Sequence, residues 1–265
     1  MFDPRVHPAA LTDQDLETLQ RFGLRRVLLV CDGSVHPATP AAHFAHFEHL
    51  LGPQVLRFER AGLSPRVCLG VHPTALPRRG LSHILETLPG YLKGGKVAAL
   101  GVLGLARGTE AEEEALLEQL ALARRLGLSA LVATPLRNRE PMTRRLLTVL
   151  KASRLPRERI LVDGAVGRTV RTILSLGFWT GLTVHPEHLT AERAVALVAS
   201  LGPERLVLDT SVGDGGSDLL ALPRVVHLLG RAGLTRSVVR RVSEGNATSW
   251  LRPGSPSRAH QLVGR

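Results

Sequence analysis

Asp209 closes the apolar run Leu206-Val207-Leu208-Asp209, followed by Thr210 and Ser211, and the chain opens on a similar run, Met1-Phe2-Asp3-Pro4-Arg5-Val6-His7-Pro8. Each reads as a short buried strand with polar groups at its exit. A carboxylate and an imidazole at strand exits suit metal-assisted hydrolysis, in which a divalent ion is held and a water activated. Such an ion takes about four ligands at fixed geometry, so further ligands have to come from other strand exits. Those exits offer Arg5 and His7, then Cys31, Asp32 and His36, then His72. Later exits offer Thr134 and Arg137, Asp163, His185 and His188, and finally Asp209, Thr210, Ser211 and Asp214. The fourth offers only Val102, Leu103 and Leu105.

Several of these groups have a plainer reading beside the chemical one. His72 and His185 each precede a proline. They fit hydrogen-bonded loop histidines; the alternative makes them ligands, with His7 and Asp209, of a relocated ion. Cys31 beside Asp32 and His36 has the composition of an activated thiol, whereas a buried inert cysteine is the commoner state. The loop Gly213-Asp214-Gly215-Gly216-Ser217 stands where barrels often bind phosphate, and its Asp214, with Asp218 just beyond, opposes an anion there.

The elements that must carry these groups follow from periodicity. Apolar, β-branched runs span Phe2–His7, Arg26–Cys31, Arg66–Val71, Val97–Leu103, Ala130–Thr134, Ile160–Asp163, Thr180–Val184 and Leu206–Asp209. Continuous apolar runs fit parallel strands buried on both faces. Amphipathic helical segments alternate with them. In Glu110–Leu126 the spacing puts Leu116, Leu117, Leu120 and Ala123 on one face and leaves Glu112, Glu113 and Arg124 to water. Thr109 with Glu112, and Thr12 with Asp15, predict capping boxes. Gly23, Gly127, Gly177 and Gly233 predict helix stops. Strand, helix, glycine, strand, repeated along the chain, predicts a single-domain (β/α)8 TIM barrel over residues 1–252, with 253–265 as a flexible tail. No strand is followed by the glycine fingerprint of a dinucleotide fold.

With 265 residues, 44% of them hydrophobic, the chain can bury one large core. No window is apolar enough to span a bilayer, and no apolar signal segment opens the chain, so a cytoplasmic protein with reduced Cys31 and Cys68 is expected. The net charge of +11 invites a polyanion reading. Residues 224–265 carry eight arginines against Glu244 alone, so a polyanion would meet that region first. Aromatics make up 3%, which leaves few platforms for stacking bases, and nucleic acid is not the favoured partner.

A more specific signal lies in the order of short motifs. Arg5-Val6-His7, Gly70-Val71-His72-Pro73, Gly101-x-x-Gly104, Thr134-Pro135, Val162-Asp163 and Asp209-Thr210-Ser211 follow one another, and then Gly216 to Pro223 and Gly245-Asn246-Ala247. Over residues 1 to about 251 this set resembles the TatD-like metal-dependent hydrolases of the amidohydrolase superfamily. That resemblance implies a (β/α)8 barrel, one or two divalent metals such as Zn or Mn, and hydrolysis of phosphoester or related bonds. It also implies six ligand positions. His7 and Asp209 match them; Arg5, Val102, Ala133 and Gly164 stand where histidine, glutamate, histidine and histidine are implied.

Four substitutions of that kind remove the ligating atoms. Arg5 adds a fixed positive charge where an ion would sit, and the same charge can neutralise Asp163 or Asp209. The expectation is a catalytically degenerate TatD-like barrel, retained for ligand binding or assembly, with no cofactor and with a small molecule or protein as partner. Its candidate binding residues are Arg5, His7, His72, Thr134, Arg137, Asp163, His185 and Asp209, with His7 and Asp209 as metal remnants. The alternatives are an active hydrolase with an altered or relocated metal site, and a polyanion-binding module.

Overall fold

The computed structural model describes residues 1–31 and 37–251. Asp32, His36 and the tail 253–265 lie outside the described residues. Eight strands stand side by side in chain order: β1 (Phe2–Val6), β2 (Arg26–Val30), β3 (Ser64–Leu69), β4 (Val97–Gly104), β5 (Ser129–Ala133), β6 (Ile160–Asp163), β7 (Trp179–Thr183) and β8 (Leu206–Asp209). Every neighbouring pair is parallel. The sheet curls into a nearly closed (β/α)8 barrel. Where β8 returns to β1 there is no ladder. A bridge between Val6 and Val212 and a hydrogen bond from His7 N–H to the Val212 carbonyl at 2.8 Å join the two edges.

The helices between the strands are α1 (Asp13–Arg21), α2 (Pro40–His49), α3 (Val55–Arg60), α4 (Leu81–Leu92), α5 (Glu110–Leu126), α6 (Arg139–Ala152), α7 (Arg168–Ser175) and α8 (Ala191–Leu201). After β8 come α9 (Ala221–Arg231), α10 (Arg236–Arg240) and α11 (Asn246–Leu251). α2 and α3 are nearly continuous. The widened turn Leu50–Gln54 between them carries Pro53, which lacks the N–H a regular turn needs.

Local sequence explains most helix ends. Thr12 and Asp15 form a complete capping box on α1. Gly127 ends α5 at φ 66°, where its N–H reaches the Ala123 and Arg124 carbonyls. At the start of α5 the expectation is only half met. Thr109 accepts from Glu112 N–H, but the Glu112 carboxylate turns away from water and is buried. It accepts the N–H groups of Ala106, Arg107 and Gly108, and so ties down the loop after β4. A carboxylate that finds three donors in one loop gains more than one left on the solvent face. Leu117 is another departure: Leu116, Leu120 and Ala123 are buried, while Leu117 is exposed.

Two apolar layers fill the structure. The larger lies between strands and helices. The smaller includes inward-facing Leu28, Val30, Cys68, Val102, Leu131, Leu161 and Val207, and is continuous with Trp250 of α11. Trp250 seals the N-terminal end of the barrel. Its indole N–H donates to the Arg159 carbonyl at 3.1 Å, and its own carbonyl accepts from Ser129 Oγ at 2.7 Å. Because side chains alternate along a strand, Asp163 stands one layer above Leu161, and Asp209 one layer above Val207. The open end of the barrel is therefore at the C-terminal strand ends. No helix among the described residues is long and apolar enough to cross a membrane.

Candidate functional site at the barrel mouth

Arg5 leaves β1 inward and is largely buried. Its Nη1 donates to Asp163 Oδ2 at 2.7 Å, and Thr183 Oγ1 of β7 donates to Asp163 Oδ1 at 3.1 Å. Asp163 has room to stand there because its β7 neighbour is Gly181, where any side chain would overlap the carboxylate. Burial works against the charge of Asp163, but the Arg5 guanidinium and a hydrogen bond from Asp209 outweigh it and hold the carboxyl below its ordinary range. Burial likewise opposes the charge of Arg5, and the Asp163 and Asp209 carboxyls more than compensate.

Asp209 is fully enclosed. Neither of its oxygens receives an N–H or O–H from a described residue. Burial first, and then the charge of Asp163, push its carboxyl well above the usual range. A neutral acid solves the problem that two ionised carboxylates cannot: it donates its own proton to Asp163. The mouth thus holds a guanidinium, a carboxylate and a carboxylic acid packed together.

Asp3, which sequence patterns did not single out, completes this layer. It accepts from the Arg5 N–H at 3.1 Å and from both the N–H and the hydroxyl of Thr210. It therefore latches β1 to β8 at the gap in the ladder. Burial raises its carboxyl to about 7, against the pull of the Thr210 and Arg5 hydrogen bonds. A buried carboxylate at a seam between first and last strands has no local sequence signature.

The histidines are held by loops. His7 Nε2 lies 3.1 Å from Ser211 Oγ. His185 Nε2 donates to the Gly215 carbonyl at 3.1 Å and its Nδ1 accepts from Glu187 N–H at 3.2 Å, which pins two loops together. His72 Nδ1 accepts from Thr74 and caps the short turn Pro73–Ala75. Thr134 donates to the Gly164 carbonyl at 2.7 Å. Arg137 is exposed. In the loop after β8 the amides of Gly213 and Gly215 bond Ser217 and Asp214, leaving no amide cradle for phosphate at those two positions.

His188, one of the strand-exit histidines, stands against Gly164, the position where the resemblance implies a ligand. A Cβ at Gly164 would lie 3.0 Å from His188 Cε1, 3.2 Å from its Nδ1 and 2.9 Å from Thr134 Oγ1. The imidazole thus fills the space beside the β6 exit. Burial and then the Arg5 charge lower it to about 4, so it is neutral at ordinary pH.

No family model matches the chain. An uncharacterized metal-dependent hydrolase of Methanocaldococcus jannaschii is 28% identical over 225 residues, 84% of this chain and 88% of that protein. The crystal structure of a TatD-like protein from Archaeoglobus fulgidus matches at TM-score 0.80 and 27% identity, over 95% of this chain and 100% of that one. The chain resembles the TatD-like proteins in sequence and in fold. A TatD homolog from Escherichia coli shares the fold at TM-score 0.68 and 22% identity, over 96% and 98% of the two chains. So does the Escherichia coli phosphotriesterase homology protein, crystallised with phosphate in its active site, at TM-score 0.70 and 16% identity over 91% and 88%.

The residues at this mouth do not fit a divalent ion such as the resemblance implies. No group of three histidine, cysteine, aspartate or glutamate side chains that could hold one occurs among the described residues. Val102 belongs to the apolar interior rather than to the mouth. Gly164 is covered by His188, Asp209 is best satisfied with its proton on, and the Arg5 guanidinium occupies the layer where an ion's charge would be needed.

Proposed function

We propose that this TatD-like barrel has lost metal-dependent hydrolysis and is retained for binding a small molecule or a protein. The observation that carries the reading is the buried Arg5–Asp163 pair. It supplies internally the positive charge that a hydrolytic ion would otherwise bring, and it repels a second cation. Removing the pair's partner from either side leaves a buried charge uncompensated, so the arrangement is self-maintaining.

The test is metal content and turnover measured on one preparation. Elemental analysis should find Zn, Mn, Fe and Mg far below one per chain, and phosphodiester and carboxylester substrates should go unhydrolysed with or without added Mn or Zn. Near one metal per chain, lost in Asp209→Ala, would overturn the reading. Turnover that survives chelation and disappears in Asp163→Asn would instead mark a metal-free hydrolase.

A further inference from the structure

The chain's surplus charge sits at one end of the barrel. Parallel strands with returning helices bring all helix-to-strand connections to the N-terminal strand ends, opposite the mouth. In these connections, together with the segment 231–251 that crosses the same end, stand eighteen lysines and arginines against four glutamates, Glu59, Glu158, Glu204 and Glu244. That excess is larger than the net +11 of the whole chain. All three of the chain's lysines are there. The mouth side, with its helix starts, carries most of the acids.

Basic residues at helix C-termini have an ordinary use, which is to complement the helix dipole and cap its carbonyls. Four arginines do this. Arg25 bonds the Gln20 carbonyl, Arg157 that of Leu176, Arg159 that of Gly127 and Arg205 that of Gly177. Arg21, Arg26 and Arg241 have glutamate neighbours, Glu17, Glu244 and Glu204. The other eleven, among them Arg66, Arg124, Arg125, Lys151 and Arg154, make no ion pair or side-chain hydrogen bond among the described residues. Capping therefore accounts for only part of the charge.

The same end also contains a cavity. It measures about 490 Å³ and is lined by Arg26, Ser64, Arg66 and Thr248 together with apolar strand and helix residues. Arg26 is held ready at its rim: its guanidinium stacks on Phe2 at 4.6 Å and donates to Thr248 Oγ1 at 2.8 Å. Arg66 has no acidic partner among the described residues. Two guanidiniums across a polar cavity form a fork for phosphate oxygens.

We propose that the N-terminal face of the barrel binds nucleic acid through its phosphodiester backbone, with one phosphate lodged between Arg26 and Arg66. Arginine dominates the face, which favours bidentate phosphate contacts. An anionic membrane fits less well. Among the described residues, Phe22 is the one exposed large hydrophobic at this end, and a single side chain does not make an apolar wedge to insert. The scarcity of exposed aromatics also makes the backbone, not the bases, the recognised feature, so duplex should bind at least as well as single strand.

The experiment is fluorescence anisotropy of a labelled duplex and the matching single strand, titrated with the full chain over a salt series. Arg124→Glu with Arg125→Glu, and Lys151→Glu with Arg154→Glu, reverse charge on this face. Arg78→Glu with Arg79→Glu makes the same change of net charge on the mouth side. All alter exposed side chains, and circular dichroism checks that each variant folds. Each reversal on the N-terminal face, and Arg66→Glu alone, should weaken binding about tenfold and flatten the salt dependence, while the mouth-side control stays within about twofold. Absence of binding at low salt overturns the proposal, as does equal weakening by the mouth-side control. Binding to phosphatidylserine vesicles with none to nucleic acid also overturns it. None of these outcomes depends on whether the mouth holds a metal.

Discussion

The Arg5 guanidinium and the Asp163 carboxylate meet at 2.7 Å inside the barrel mouth, from strands that are 158 residues apart in sequence. Their pairing fixes the state of a third group. With Asp163 ionised and held by Arg5, Asp209 is left facing a negative charge without a donor, and it keeps its proton.

Removal of the guanidinium should be costly. Arg5→Ala is expected to destabilise the protein by about 3–5 kcal/mol, because it strands a buried carboxylate. Arg5→Ala combined with Asp163→Asn should recover part of that loss, whereas combination with Asp209→Asn should recover less. Urea unfolding midpoints of the four variants decide it; an Arg5→Ala change of less than about 1 kcal/mol would mean that the pair is solvated.

The two aspartates should respond differently to the same substitution. Asp209→Asn replaces a neutral acid by a neutral amide and should cost no more than about 1 kcal/mol. Asp163→Asn leaves Arg5 buried without its partner and should cost several times that, about 3–5 kcal/mol. A carboxylic acid C=O band that persists at pH 7 in the infrared spectrum and vanishes in Asp209→Asn would identify the protonated group directly.

The Asp3 latch should make stability depend on pH. Its folded value of about 7 lies above the ordinary 3.8, so the folded state keeps a proton that the unfolded chain releases. The contribution is therefore full below the unfolded value and is lost as pH rises toward 7. Measured as wild type minus Asp3→Asn, stability should fall on the order of 4 kcal/mol between about pH 4 and pH 7. His188 works in the opposite direction, since it is neutral in the fold and must charge as pH falls from 6.5 toward about 4. Taking the difference against Asp3→Asn separates the two; a difference that is flat across the window would remove Asp3 from the account.

Rebuilding the implied ligands Arg5→His, Val102→Glu, Ala133→His and Gly164→His should fail at one address. Gly164 has φ 71° and no room for a Cβ beside His188 and Thr134. The quadruple variant should be unstable and bind zinc poorly, and the addition of His188→Ala should improve both. If the quadruple variant folds and binds zinc as well without His188→Ala, the space beside the β6 exit is not the obstacle.

What the sequence determined by itself is the scaffold. Repeated strand–helix periodicity, threonine caps and terminal glycines are local signals, and each local choice agrees with the barrel. The positions of Arg5, Asp163 and Asp209 at strand ends were legible for the same reason, since alternation along a strand fixes which side chains face the axis. Glu112 was misread because helical spacing assigns a face but cannot see three amides waiting in the preceding loop. Asp3 had no pattern at all, and for His188 the pattern gave a strand exit but not its neighbour. Only tertiary structure joined Asp3 to Thr210 across the seam, set His188 against Gly164, and chose Asp163 over Asp209 as the partner of Arg5. These are contacts between residues distant in the chain, made at a depth where an unpaired charge is expensive, and their energies depend on neighbours that closure of the barrel supplies.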